Sequence, residues 1–335
     1  MIKTTNDFPK ILESYFSKHL LSERNFSTNT YNTYLMVIKQ YIKFLESKGI
    51  SGRKISLNDF SKDNVLSFLL YVEEVLQCSA KTRNHKLAVI NSFLEYAQSF
   101  NPTYLNIYME SKSIKLKRVV KNKMDFLTID ELESFFKVIN IKQKTGYKHY
   151  VLLTLLYETA ARVSELINIK VSDLYFNANT PYIKIIGKGN KERIVYINDS
   201  VKNMIVDYMS KMNITKGYLL LSNSKSQYSR YGVNKLIDKY AVKAKKECPT
   251  MRNKTITPHT FRHSKAVHFL QNGTALPIIQ RFLGHSSIQT TEIYLDITNE
   301  VVIEAVKTAA NIINRKETSL WANDDKLIEL LERIK

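Results

Sequence analysis

Glycine and proline are scarce: nine Gly and six Pro are spread over 335 residues. These residues are the strongest local breakers of regular backbone, so a chain this poor in them is predicted to form long helices. The first third carries four helical patterns. Phe8, Ile11, Leu12, Tyr15 and Phe16 mark one over 7–21. A second runs from a Ser27 cap through Tyr31, Tyr34, Leu35, Ile38, Tyr41, Ile42 and Leu45 to Gly49. A third starts at Ser61, and a fourth starts at Ser79 and stops before Asn101-Pro102. Four amphipathic helices with short links predict a small bundle over residues 1–110.

The next stretch, 111–124, holds Lys112, Lys115, Lys117, Arg118, Lys121 and Lys123 and no acid. Like charges repel, so 111–125 is expected to be an extended basic linker. A second unit, 126–317, opens with a capping box, Thr128 with Glu131, and continues into an apolar helix at 147–159. Two β-branched runs, Tyr182–Ile186 and Arg193–Ile197, flank the Gly-rich turn Gly187–Glu192 and predict a hairpin. Helices follow near 199–211, 229–246, 258–272, 275–282 and 300–313. The stripe Leu320, Trp321, Leu327, Leu330, Leu331 and Ile334 predicts a tail helix within 318–335, expected to add contact between protomers. The fold class is therefore mainly α with a small antiparallel sheet.

Charge narrows the partner. Fifty Lys+Arg against 31 Asp+Glu leave a net +19 and a pI near 9.6, which favours a polyanion. Within this excess, Lys81, Arg83 and Lys86 in the opening turns of the fourth helix, Lys115, Lys117, Arg118 and Lys121 in the linker, and Lys191 in the hairpin turn are the candidate phosphate contacts. The basic residues are not gathered on one amphipathic helix, and no run of about 18 apolar residues exists, so membrane binding is not expected. Only Cys78 and Cys248 occur, too few for a disulfide scaffold or a cysteine-based zinc module. The N-terminus lacks a basic segment followed by an apolar one, so no secretory signal is expected.

Four short elements could carry chemistry. Thr159-Ala160-Ala161-Arg162 is followed by Glu165, at a spacing that lets the carboxylate fix the guanidinium. His259 and Arg262 share one face of a helix start after Pro258, where two cationic groups are reconciled by a shared anion. Gly284-His285-Ser286 precedes Tyr294, and Lys188 sits between Gly187 and Gly189 in the hairpin turn. Each also has a plain structural use, as an ion pair, a helix cap, a core ring or a solvated lysine. Together they make an inventory for nucleophilic attack on a phosphodiester without metal. The arginines can bind the non-bridging oxygens, the phenol can attack, and Lys or His can protonate the leaving hydroxyl. No acidic cluster with metal-ligand spacing and no Walker glycine loop accompanies them.

These boxes, in this order, resemble those of tyrosine recombinases of the phage-integrase and Xer type. The likeness is strongest in Glu158–Leu166, in IGKGNKERIVYI at Ile186–Ile197, in Thr257–Leu270, and in FLGHSSIQTTEIYLD at Phe282–Asp296. The resemblance implies that Tyr294 is the nucleophile, forming a 3′-phosphotyrosyl bond and freeing a 5′-hydroxyl. It implies that Arg162 and Arg262 clamp the phosphate and that Lys188 is the general acid, with Lys191 as second choice. His259 would exchange protons with the tyrosine, His285 would hydrogen-bond the phosphate or buttress the site, and Glu165 would orient its neighbours. No cofactor or metal is implied.

The resemblance further implies a SAM-like core-binding domain and a catalytic domain forming a C-shaped clamp on double-stranded DNA. It implies a homotetramer exchanging its C-terminal helix between protomers and working through a Holliday junction without ATP, with a directionality protein as an accessory partner. The expected setting is bacterial cytoplasm at the nucleoid. The expected role is integration, excision or transposition of a mobile element. Resolution of chromosome or plasmid dimers, topoisomerase-like or telomere-resolving chemistry, and a non-catalytic architectural DNA binder are the alternatives. One departure stands out: the family box Thr-Gly-Leu-Arg reads Thr-Ala-Ala-Arg here. About 40 residues also follow Tyr294, more than a compact Xer-type chain is expected to have.

Overall fold

The computed structural model describes residues 6–119 and 124–284, except for the side chain of Lys188. The chain divides into two compact units, Met1–Asn122 and Lys123–Lys335. Each has its own apolar core.

In the first unit, α1 (Phe8–Ser14) runs into a π-helical stretch, Tyr15–Glu23. Then come α2 (Thr28–Ser47), α3 (Lys62–Glu74), α4 (Ala80–Ala97) and α5 (Tyr104–Lys112). The Ser27 cap forms as predicted, and the helix starts expected at Ser61 and Ser79 are capped in the same way: each of the three accepts a backbone N–H three residues on, at 3.3–3.4 Å. Such a cap satisfies a donor that the helix itself cannot. Tyr15, Tyr41, Phe60, Phe68 and Phe93 fill the centre, with rings meeting edge-on or tilted. The fifth helix, α5, was not predicted. It sends Tyr108 into this core, and Ile114 just beyond it is also buried there.

That burial corrects the expected linker. Its first half does not float. Asn84 on α4 donates from Nδ2 to the Lys117 carbonyl at 2.7 Å and accepts the Lys117 N–H at 3.0 Å. Arg83 donates to the Lys115 carbonyl at 3.1 Å, and Lys117 pairs with Glu73 at 2.9 Å. Fixed partners on α3 and α4 overcome the repulsion within the run.

The second unit is built around α7 (Lys144–Thr159). Its Val151, Leu152, Leu153, Leu155 and Leu156 are all buried, as befits a helix apolar on every side. Before it lies α6 (Ile129–Lys137), whose capping box closes as predicted, with Thr128 N–H on Glu131 at 2.9 Å. Behind α7 come the short α8 (Val163–Leu166) and an antiparallel sheet, β1 (Leu174–Tyr175), β2 (Tyr182–Ile186) and β3 (Glu192–Tyr196), in that order. Strand β1 extends the predicted hairpin to three strands. Next are α9 (Asp199–Met212), α10 (Arg230–Glu247), α11 (Pro258–Gln271) and α12 (Leu276–Leu283). Phe261 of α11 meets Phe135 of α6 edge-on at 5.2 Å. A smaller core joins Ala160 to Ala266, Val267, Leu270, Ile279 and Leu283 where α7, α11 and α12 end or start. No described helix is long and apolar enough to cross a membrane. The expected helix 300–313 and tail 318–335 lie outside the described residues.

Candidate active site

Four chain segments meet in one corner of the second unit. The first is the turn after α7. Ala160 ends that helix in the left-handed region, at φ 45°, and is fully buried. The residue type that adopts this conformation without steric cost is glycine, so alanine here carries strain of about 1–2 kcal/mol while its methyl fills the small core. The departure from the family box is therefore accommodated, and the turn still delivers Arg162.

Arg162 stands not within a helix but as the extended N-cap residue of α8, at ψ 150°. The Arg162–Glu165 pairing is thus a helix-start device rather than two positions on one helical face. Glu165 Oε2 accepts the Arg162 backbone N–H at 3.0 Å, and Oε1 accepts Nη1 at 2.8 Å. The Arg162 side chain remains 37% exposed, so it can meet a ligand.

Strand β3 supplies a residue the sequence did not single out. Arg193 lies opposite Ile185 in the sheet, on the inward-facing side with Val195. Its side chain is 12% exposed, and its Nη2 donates to Glu165 Oε2 at 2.9 Å. The signal was available: period-2 alternation puts Arg193, Val195 and Ile197 on one side, and a buried-side arginine needs a partner. Burial raises the Glu165 carboxyl pKa, but the charge and hydrogen bond of Arg193, then the bonds from Arg162, outweigh it and hold the group below the usual carboxylate range. The hairpin turn itself runs close by, since a Cβ on Gly187 would sit 3.4 Å from Glu165 Oε1. Lys188 begins the tight turn Lys188–Asn190, which places its backbone next to this corner. Lys191 is exposed, and its carbonyl accepts the Gly187 N–H at 2.8 Å.

Helix α11 supplies the third segment. Arg262 is 2% exposed and donates to the carbonyls of Ala160 and Leu283, both at 2.6 Å. It therefore ties the α7 turn to the end of α12, and at least two of its donors serve the fold. His259, one turn earlier, keeps an exposed edge. Partial desolvation first, then the charges of Arg262 and Arg162, lower its pKa. The field of both arginines thus reaches one imidazole. His263, stacked on His259 at 6.1 Å between centroids, is pushed down to about 4 by burial, His259 and Arg262.

The fourth segment is the end of α12. Gly284 takes φ 67°, the helix-ending conformation expected of it, and a Cβ there would meet Arg193 Cδ at 3.1 Å. The described chain leaves this corner at Gly284, one residue before His285. His285 and Tyr294 lie outside the described residues.

Of the remaining basic candidates, Lys81, Lys115, Lys117 and Arg118 are exposed, while Lys121 lies outside the described residues. Arg83 and Lys86 do not fit the phosphate expectation as they stand. They are 5% and 4% exposed, and Lys86 donates to Gln40 while burial lowers its pKa. The turn that carries them faces α2 and the tethered segment, which the local charge pattern cannot reveal.

Comparison with known proteins places both units in one family. The family described as phage integrase matches residues 125–300, and the phage integrase N-terminal SAM-like domain matches residues 13–99. The tyrosine recombinase XerD of Staphylococcus epidermidis is 32% identical over 304 residues, covering 87% of this chain and 95% of that protein. XerD of Staphylococcus saprophyticus is 33% identical over 305 residues, with the same coverage. Among solved structures, the XerH recombinase in a post-cleavage complex with palindromic difH substrate is similar at TM-score 0.67 and 20% identity. That match covers 91% of this chain and 89% of the other. The Tn1549 transposon integrase in complex with transposon right-end DNA is similar at TM-score 0.65 and 19% identity, covering 84% and 93%. At those identities the structural likeness concerns the fold.

Proposed function

Because this chain belongs to the phage integrase family and is a tyrosine-type site-specific recombinase, we propose that Tyr294 attacks a DNA phosphodiester held by Arg162 and Arg262. The bond from the Tyr294 phenolic oxygen to phosphorus forms as the bond from phosphorus to the 5′-oxygen breaks. The phenol proton passes to His259, whose depressed pKa keeps it neutral and able to accept near pH 7. Lys188 delivers a proton to the departing 5′-oxygen, and His285 steadies the phosphate. The 3′-phosphotyrosyl link keeps the energy of the broken phosphodiester bond, so a partner strand's 5′-hydroxyl can attack phosphorus, release the Tyr294 phenol and rejoin the DNA without ATP. The observation that carries this reading is the corner itself: Arg262 bonds the Ala160 carbonyl two residues before Arg162, His259 precedes Arg262 on the same helix, and the hairpin turn lies against Glu165. Both units engage DNA in this proposal, with exchange of strands in a tetramer through a Holliday junction.

A nicked suicide substrate tests the chemistry. Wild-type protein becomes covalently attached to it, whereas Tyr294→Phe binds and does not. Arg162→Ala lowers the cleavage rate by at least about 3 kcal/mol of barrier, comparable with losing an oxyanion donor. Covalent adducts from Tyr294→Phe would overturn the assignment. For the biological role, integration, excision or transposition of a mobile element is the first reading. The Xer-named relatives favour a second, resolution of chromosome or plasmid dimers. Loss of the protein stops element movement in the first case and leaves multimeric replicons in the second.

A further inference from the structure

Arg193 has no role in the reaction as proposed, yet it occupies the centre of the corner. Its guanidinium lies against three of the four segments. It bonds Glu165 behind Arg162, passes under Gly187 just before Lys188, and fills the space a side chain on Gly284 would need just before His285. Its Nε–H is buried without an acceptor among the described residues. An arginine serving only as filler on the inner face of a strand would be a poor choice, because desolvating a guanidinium is costly unless a fixed anion answers it. Glu165 is that anion, and it is shared.

The sharing determines what Arg162 can do. A carboxylate paired with Arg162 alone would cancel its charge and stand as an anion beside a phosphate, which repels it. With Arg193 on the other oxygen, one carboxylate answers two guanidiniums, and the trio keeps a net positive charge. We propose that Arg193 is a positioning residue that neutralises Glu165, so that Glu165 orients Arg162 while Arg162 keeps its attraction for the scissile phosphate. This rests on the phosphodiester-cleavage reading above and adds to it the source of the arginine's effective charge.

The test is a rescue. Single-turnover cleavage of the nicked suicide substrate at saturating DNA is compared for wild type, Arg193→Ala, Arg193→Lys, Glu165→Gln and the double variant Arg193→Ala/Glu165→Gln. Arg193→Ala is expected to slow cleavage on the order of 10²-fold, as misplacing a catalytic group does. Its affinity for the site is expected to change by no more than about threefold. The double variant recovers at least about tenfold of that loss, because the uncompensated carboxylate is gone, and Arg193→Lys keeps an intermediate rate. A merely structural Arg193 predicts instead that the rate loss only follows the loss of folded protein, so that Arg193→Ala molecules shown by circular dichroism to be folded cleave at the wild-type rate. Cleavage by Arg193→Ala at the wild-type rate, or a double variant no faster than the single, overturns the proposal. Should Arg193→Ala fail to fold, Arg193→Gln against Arg193→Gln/Glu165→Gln gives the same comparison, because glutamine also leaves the carboxylate uncompensated. Failure of the cleavage reading shows separately, as adducts in Tyr294→Phe.

Discussion

At the scale of single residues, burial lowers the pKa of each described histidine of the second unit. Burial, then the charges of Lys239 and Lys148, lowers His149 to about 4, and its ring meets the Tyr240 hydroxyl at 2.9 Å. His263 lies at the same value for the reasons given above. An unfolded histidine titrates near 6.5, so below that pH the unfolded chain binds protons that the folded chain refuses. Stability is therefore full above about 6.5 and falls as the pH drops toward about 4. After solvent screening the loss is about 1–2 kcal/mol per histidine. Urea unfolding between pH 6.5 and 4.5 reads this loss before the low-lying carboxyls of Glu165 and Glu131 contribute. His149→Gln keeps a polar partner for Tyr240 and is expected to remove one histidine's share of the slope. An unchanged slope would place the acid sensitivity elsewhere.

Secondary-structure elements show where sequence patterns reach and where they stop. The caps at Ser27, Ser61, Ser79 and Thr128 were readable because each involves a side chain and an amide three residues apart. Helix α5 was missed because Asn101-Pro102 reads as a stop and the stretch after it is only weakly amphipathic. Strand β1 has two residues, too few to show alternation. Arg162 and Glu165 were readable as a pair from their spacing. The partnership of Glu165 with Arg193 was not, since it joins positions 28 apart and depends on the strand's register. The same limit hid the anchoring of the basic segment, where Asn84 reaches across 33 positions to both polar groups of Lys117. Asn84→Ala removes both bonds, which together contribute about 1–2 kcal/mol to holding that segment. Trypsin cleavage at Lys115, Lys117 and Arg118 should then accelerate about 5–10-fold under native conditions. An unaltered rate would show that Ile114 and Glu73 suffice to hold it.

On the scale of the whole molecule, the two cores share no residue. Each unit has buried enough apolar surface to be a folding unit of its own. Residues 1–122 made alone should keep helical circular dichroism and unfold in urea in one cooperative step. A broad, gradual transition would show that the second unit is needed. Within the second unit the division of labour is less clean. Arg262 holds two helix ends by their carbonyls from the same place where it faces a phosphate in the proposed reaction. Inactivation by drift at that position would therefore also dismantle the body that carries it. A descendant that kept the shape but abandoned the chemistry, as an inert DNA tether, would first have to evolve another brace for those two helices.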